Sequence, residues 1–189
     1  MTLLSGAELI HRLRAGDAGA FDAAYERYAA RLYRFLSRLC RSRDAAEDVL
    51  QETWLTLATR AHELAADTDL AAWLFTVAHN GWISRVRREG RLVELPATDE
   101  RAAREPSPEE RTSLASSVRA LERALAALRE SDRELLLLVG VEELGHAAAA
   151  AVLGVSDVVF RQRLHRARAR LVVELERAPA RASSDWTEE

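Results

Sequence analysis

The stretch GHAAAAAVLGVSDVVFRQRLHRARARL, residues 145–171, is the strongest indication of the fold. Its first half is rich in alanine and forms a helix that ends at Leu153. Gly154 follows where a left-handed residue closes a helix, and Val155 is apolar enough to enter the core. Ser156 is a residue type that caps the next helix. This spacing predicts a helix-turn-helix, a motif whose second helix enters the major groove of duplex DNA.

The second helix of this motif is strongly basic. Five arginines and no acidic residue occur from Arg161 to Arg170. One or two arginines would complement the helix dipole, so this number favours a polyanionic partner. The inward stripe consists of Phe160, Leu164, Ala167 and Leu171. The predicted DNA contacts, to base edges near the helix start and to phosphates further on, are Arg161, Gln162, Arg163, His165 and Arg166.

Helix-forming residues dominate the rest of the chain as well. Only 8 glycines and 4 prolines interrupt 189 residues, and no segment alternates apolar and polar side chains as a strand would. We predict an all-α fold of two small helical bundles joined by a flexible acidic linker. The predicted bundles span 1–89 and 117–178, the second containing the helix-turn-helix. The linker is 90–116, and 179–189 is a flexible tail.

Composition narrows the classes of function. The formal net charge of -3 is an average over acidic and basic stretches, and all 27 basic residues are arginine. Arginine suits bidentate contacts to phosphate and guanine, although a GC-rich genome is the favoured explanation of its exclusive use. The single cysteine, Cys40, excludes an intramolecular disulfide and a multi-cysteine zinc site. No metal-ligand or nucleophile spacing is evident, so we expect no catalytic centre and no cofactor.

Targeting signals are also missing from the pattern. No run of 18 apolar residues occurs, and the amino terminus lacks a basic segment leading into an apolar one. The sequence therefore predicts a cytoplasmic protein without membrane insertion.

A second informative stretch is DAAEDVLQETWLTLA, residues 44–58. Its apolar residues form one helical stripe, so the opposite side is predicted to carry Asp44, Asp48, Gln51, Glu52 and Leu55. An acidic helix face is usually only solvated. Leu55 within the polar surface favours a face that docks another protein, without establishing it.

A third stretch, AWLFTVAHNGWISRVRRE at residues 72–89, follows a weakly patterned segment, Arg60–Asp69, that is predicted to be a loop. Its tryptophans fit the bundle core. The remaining candidates combine an amide with basic groups: Asn80, Arg85, Arg87 and Arg88. This combination beside a loop suits the reading of an unstacked base and the tracking of its backbone.

These stretches, in this order and separated by an acidic tether, resemble the extracytoplasmic-function sigma factors of the sigma-seventy superfamily. The resemblance covers nearly the whole chain. It implies a factor that binds core RNA polymerase, directs it to promoter DNA and helps to open the minus-ten element, with an anti-sigma factor as a further partner. It also implies that the residues that bind the clamp helices of the largest polymerase subunit are Asp48, Gln51 and Glu52.

The resemblance assigns roles to the DNA-facing residues too. Asn80 matches the minus-ten reading surface, and the loop 60–69 matches one that pockets a flipped base. The recognition helix for the minus-thirty-five element would carry Arg161, Gln162, Arg163 and Arg166. The tether 90–113 would thread toward the polymerase active site and the RNA exit path.

The sequence departs from the family pattern near the base-reading positions. Ser84 stands where many relatives have an acidic residue, and Gly81–Trp82 replaces a usual pair of small aliphatic residues. Val158–Val159 replaces a frequent Gly-Thr pair, and Ala147–Ala151 replaces a polar stretch. Two alternatives stay open: an autonomous helix-turn-helix regulator with an amino-terminal sensing or dimerisation domain, and a sigma-like interaction module without transcription activity.

Overall fold

A computed structural model describes residues 4–40, 42–92 and 113–182, and these ranges are helical with short connections and contain no strand. The prediction of an all-α fold is confirmed. The helices in chain order are α1 (Gly6–Arg14), α2 (Ala18–Leu39), α3 (Arg43–Arg60), α4 (Leu70–Leu92), α5 (Ser113–Ala127), α6 (Glu130–Leu136), α7 (His146–Val152) and α8 (Asp157–Ala182). Most of the predicted linker, 93–112, and the end of the predicted tail, 183–189, lie outside the described residues.

Side-chain caps explain why the first helices begin where they do. The Ser5 hydroxyl accepts from the amide of Glu8, and the Ser42 hydroxyl accepts from the amide of Ala45. Asp17 accepts from the first amides of α2 and also pairs with Arg12 at 2.7 Å, which joins α1 to α2. These oxygens satisfy amides that have no partner within a helix.

Helices α1 to α4 enclose an aromatic core. The rings of Phe35 and Phe75 meet edge to face with centroids 5.2 Å apart, where α2 crosses α4. Gly81 lets α3 approach α4 closely, because a Cβ there would lie 3.1 Å from the side chain of Val49. Tyr25 is 48% exposed, and its ring lies 4.9 Å from that of Trp54 at an interplanar angle of 49°.

The carboxy-terminal helices are held by buried charges. Arg133 is buried and donates to the carbonyls of Leu125, Ala126 and Leu128, so it closes the carboxyl end of α5. Asp132, also buried, accepts from Arg170 of α8 at 2.6 Å. Each charge has a partner, which is the condition for burying it at tolerable cost.

The amino- and carboxy-terminal helices pack against each other through α4 and α7. Arg31 of α2 crosses this boundary and pairs with Glu142, whose side chain is fully buried, at 3.2 Å. The same guanidinium donates to the Glu142 carbonyl. His79 of α4 lies against Glu134 of α6, both of them buried, and Arg38 lies 3.8 Å from Glu122 at the edge. Burial raises the pKa of the Glu142 carboxyl, and the hydrogen bond from Arg31 opposes that shift.

Substitution Arg31→Ala is expected to lower the free energy of unfolding by about 2–3 kcal/mol, because it leaves the Glu142 carboxylate buried without its partner. Urea unfolding followed by circular dichroism measures the change. The matched control is Arg14→Ala, an exposed arginine of α1, for which we expect a change below about 0.5 kcal/mol. Equal effects of the two substitutions would contradict the role given to Arg31.

The same variant provides a test by pH. A carboxyl with a raised folded-state pKa contributes stability at low pH and loses it as pH rises through that pKa. Without Arg31 the pKa of Glu142 in the folded protein rises further. The deficit of Arg31→Ala relative to Arg14→Ala should therefore be large near pH 7 and small near pH 4.

Candidate protein-docking and nucleic-acid interfaces

The outward side of α3 carries the residues predicted to dock a protein. All five are exposed, and we call them the α3 face: Asp44, Asp48, Gln51, Glu52 and Leu55. Leu55 has 57% of its surface exposed although it is a large apolar residue. The opposite side of the helix packs into the core through Ala46, Val49, Thr53 and Leu57. The structure therefore presents one accessible leucine within an acidic surface.

The α3 face is tied to the carboxyl end of α4 by a contact that the sequence pattern missed. Arg85 pairs with Asp48 at 2.9 Å and with Glu89 at 2.7 Å. The hydrogen bond to Asp48, followed by that to Glu89, raises the pKa of the Arg85 guanidinium. Arg85 is therefore engaged by two carboxylates, whereas Arg87 and Arg88 are exposed.

The adjacent residues His79 and Asn80 of α4 have different surroundings. Asn80 is exposed, as expected for a residue that contacts a partner. His79 is buried between Trp82, at a ring separation of 5.8 Å, and Glu134 of the carboxy-terminal helices. The structure therefore leaves the Asn80 amide free to meet a ligand while its neighbour holds the two groups of helices together.

A cavity of about 240 Å³ opens between the 60–69 segment and the start of α4. This segment is not wholly a loop, since Ala61–Glu63 forms a 3-10 turn. Arg60 and Glu63, 2.7 Å apart, pair at its rim. The residues that line the cavity are Arg60, Glu63, Leu64, Ala65, Thr68 and Trp73. The prediction placed a base pocket in this segment, but no periodic pattern revealed Trp73 as part of its wall.

The turn between α7 and α8 has the predicted geometry. Gly154 has a φ of +63°, the left-handed conformation that glycine adopts without strain. The amide of Val155 donates to the carbonyl of Ala150 at 3.0 Å, which closes the end of α7. The hydroxyl of Ser156 accepts from the amide of Val159 at 3.4 Å and caps α8. The predicted helix-turn-helix is confirmed in its local structure.

The residues of α8 that were predicted to contact DNA are all exposed. They are Arg161, Gln162, Arg163, His165 and Arg166, and all lie away from the buried Phe160, Leu164 and Ala167. Arg161 pairs with Asp157, whose hydrogen bond raises the pKa of Arg161. Within the described part of the chain, Arg163 and Arg166 have no charged partner, so both guanidinium groups are free for a ligand.

Cys40 is the one sulfhydryl in the chain and is buried at the end of α2. Burial raises the pKa of its thiol to about 11, so the thiol stays protonated near neutral pH and is a poor nucleophile. Among the described residues, no group of histidine, cysteine and acidic side chains could hold a metal ion. In the same ranges, no helix is both long and apolar enough to cross a membrane.

Models of known protein families match both the amino-terminal and the carboxy-terminal helices. The model of Sigma-70 region 2 matches residues 24–92, which include α3, the cavity and α4. The model of Sigma-70, region 4 matches residues 118–171, which include the helix-turn-helix.

Several curated proteins are similar over most of their length. The ECF RNA polymerase sigma factor SigM of Mycobacterium tuberculosis is 30% identical over 88% of this chain and 83% of its own. The RNA polymerase sigma factor CarQ of Myxococcus xanthus is 33% identical over 83% of this chain and 90% of its own.

Two solved structures are similar in fold. The sigma factor RpoE of Bartonella quintana, crystallised with the anti-sigma factor NepR, has a TM-score of 0.67 and 26% identity over 82% of this chain and 96% of that one. CnrH, in complex with the cytosolic domain of CnrY, has a TM-score of 0.66 and 24% identity over 90% of this chain and 96% of that one.

Proposed function

Because the chain belongs to the extracytoplasmic-function sigma factors of the sigma-70 family, we propose that different surfaces of it bind core RNA polymerase and promoter DNA during transcription initiation. The α3 face docks core RNA polymerase. The cavity and α4 take the opened strand of the minus-ten element, and α8 reads the minus-thirty-five duplex. The protein is a transcription initiation factor, acts in the cytoplasm and has no catalytic activity of its own. One observation carries this assignment, namely that the predicted docking residues are exposed, as are all the predicted DNA-binding residues except the half-buried Arg85.

Residues 1–89 and 117–178 then act as regions 2 and 4, and 90–116 links them and threads toward the polymerase active site, with 179–189 as a tail. An anti-sigma factor is the further partner. This last proposal is supported by RpoE and CnrH, since RpoE was solved with an anti-sigma factor and CnrH with the cytosolic domain of CnrY.

Run-off transcription from genomic DNA with the purified factor and core polymerase tests the function as a whole. We expect transcripts that start at specific sites and depend on the factor. Specific duplex binding without polymerase and without such transcripts would favour an autonomous regulator. Core binding without transcripts would favour an interaction module, and either result contradicts the proposal.

The α3 face has the character of a protein interface. An accessible apolar residue supplies surface to remove from water, and the surrounding carboxylates supply complementarity to a basic partner. Leu55 and Glu52 are neighbours on this surface, because residues three apart lie on one side of a helix. A positively charged helical surface of the polymerase would fit it.

Substitution Glu52→Arg is expected to weaken core polymerase binding by about tenfold or more, because it places like charges against each other. Equilibrium titration of labelled factor with core polymerase measures the change. Glu47→Arg is the matched control. Glu47 is an exposed acid on the same helix, paired with Arg43 and outside the α3 face, and should leave the affinity nearly unchanged. Equal losses in both variants would argue against docking through this face.

The cavity suits an unpaired nucleobase. Trp73 offers an aromatic wall for stacking, and the Thr68 side chain and the Arg60–Glu63 pair offer hydrogen-bonding groups at its edges. Asn80 lies exposed on the same helix as Trp73. We assign the cavity to a base that leaves the stack when the minus-ten element opens.

Substitution Ala65→Phe should obstruct the cavity and reduce promoter opening roughly tenfold, the worth of one stacked base, with little change in core binding. Permanganate reactivity of opened thymines reports the effect. Ala66→Phe is the matched control, since Ala66 is exposed beside the cavity but does not line it. Opening that is equal in the two variants would remove the cavity from the mechanism.

The free arginines of α8 suit the phosphate backbone. Each phosphate neutralised releases a counterion, so affinity depends steeply on salt. With the holoenzyme on a promoter identified by run-off, Arg163→Ala should weaken binding and reduce the slope of log affinity against log salt by about one. Arg177→Ala serves as control, because this arginine lies further along α8 and pairs with Glu174. An unchanged slope for Arg163→Ala would exclude the phosphate contact.

A further inference from the structure

Four side chains that carry no permanent charge form the outermost line of α8. An α-helix turns by about 100° per residue, so residues opposite the buried stripe can be identified from Phe160, Leu164 and Ala167. Within the basic stretch that ends at Arg170, the positions that point furthest from that stripe are Val158, Gln162, His165 and Ala169, and all four are exposed. We call this line the α8 ridge.

Arginines flank the α8 ridge on both sides. By the same rotation, Arg161 and Arg168 lie on one flank, and Arg163 and Arg166 lie on the other. The sequence has no acidic residue between Asp157 and Glu174, and Asp157 is already paired with Arg161. A ridge without permanent charge between two basic flanks is complementary to a groove whose floor is made of base edges and whose walls are phosphates.

Val158 is the most exposed large apolar residue of the described chain, at 63%. Its isopropyl group lies at the amino-terminal end of α8, the end of a recognition helix that contacts base edges. The floor of the major groove has one apolar group, the C5-methyl of thymine, and contact with it would remove both surfaces from water. Gln162 lies one turn further on the same ridge, and a glutamine amide pairs with the N6 and N7 atoms of adenine.

We propose that α8 reads A·T pairs, with Val158 on a thymine methyl and Gln162 on an adenine. The inference rests on the proposed function, in which α8 lies in the major groove of the upstream promoter element. Four helical residues rise about 6 Å, and base pairs are about 3.4 Å apart, so the two contacts fall on base pairs one or two steps apart.

The experiment begins with a promoter library. Templates randomised upstream of a start site identified by run-off are transcribed by core polymerase with the full-length factor, and the productive sequences are determined. For the wild-type factor we expect an invariant upstream thymine, with an adenine one or two base pairs away on either strand. With Val158→Ala the preference for that thymine should relax, and with Gln162→Ala the preference for the adenine should relax.

A chemical probe then isolates the methyl group. Deoxyuridine differs from thymidine only by lacking the C5-methyl. Replacing the selected thymine by deoxyuridine should weaken holoenzyme binding about fourfold, the worth of one buried methyl group. In the Val158→Ala holoenzyme, the same replacement should have no further effect, because the partner of the methyl is already gone.

Val172→Ala is the matched control. Val172 is 52% exposed on the same helix but lies four turns beyond Val158, so the selected sequence and the deoxyuridine effect should match the wild type. A deoxyuridine effect that persists in Val158→Ala, or a selected element without A·T pairs, overturns the inference and leaves the proposed function standing. Failure of the wild-type factor to select any promoter overturns both.

Discussion

The buried carboxylate of Glu142 is the constraint on which the arrangement of this chain depends. Its side chain is fully removed from water, and the guanidinium that compensates it comes from Arg31 of another helical group. An unpaired charge in such a place would cost several kcal/mol. The helix-turn-helix is therefore held against the amino-terminal helices by an electrostatic requirement as well as by apolar packing. His79 and Glu134 add a second polar contact across the same boundary.

Local interactions made much of this fold predictable. Helix periodicity, caps and a left-handed glycine involve residues within about four positions of each other, so they can be inferred from short segments of the sequence. The turn at Gly154, the exposed arginines of α8 and the acidic side of α3 all follow from such segments. The place of each surface on its helix was therefore accessible to sequence reasoning.

Contacts between distant residues were not predictable in this way. Arg31 and Glu142 are 111 residues apart, and nothing in the neighbourhood of either indicates the other. Asp132, Arg133 and Glu134 form a run of charged residues that would ordinarily be assigned to the surface, yet all three are buried. Their partners are helix-end carbonyls and side chains of other helices. Likewise, the wall of the cavity combines Trp73 with a preceding turn, a combination that appears only after the chain has folded.

The ion pair between Asp48 and Arg85 connects two surfaces for which different partners are proposed. If the Asp48 carboxylate bound polymerase, its ion pair with Arg85 would break. If Arg85 bound a phosphate, the same ion pair would break. Each event then lowers the free-energy cost of the other. Thermodynamic linkage requires such coupling to be reciprocal: polymerase would raise the affinity for DNA by the same factor by which DNA raises the affinity for polymerase. In the free protein both charges would thus be paired with each other, and polymerase and DNA would bind cooperatively.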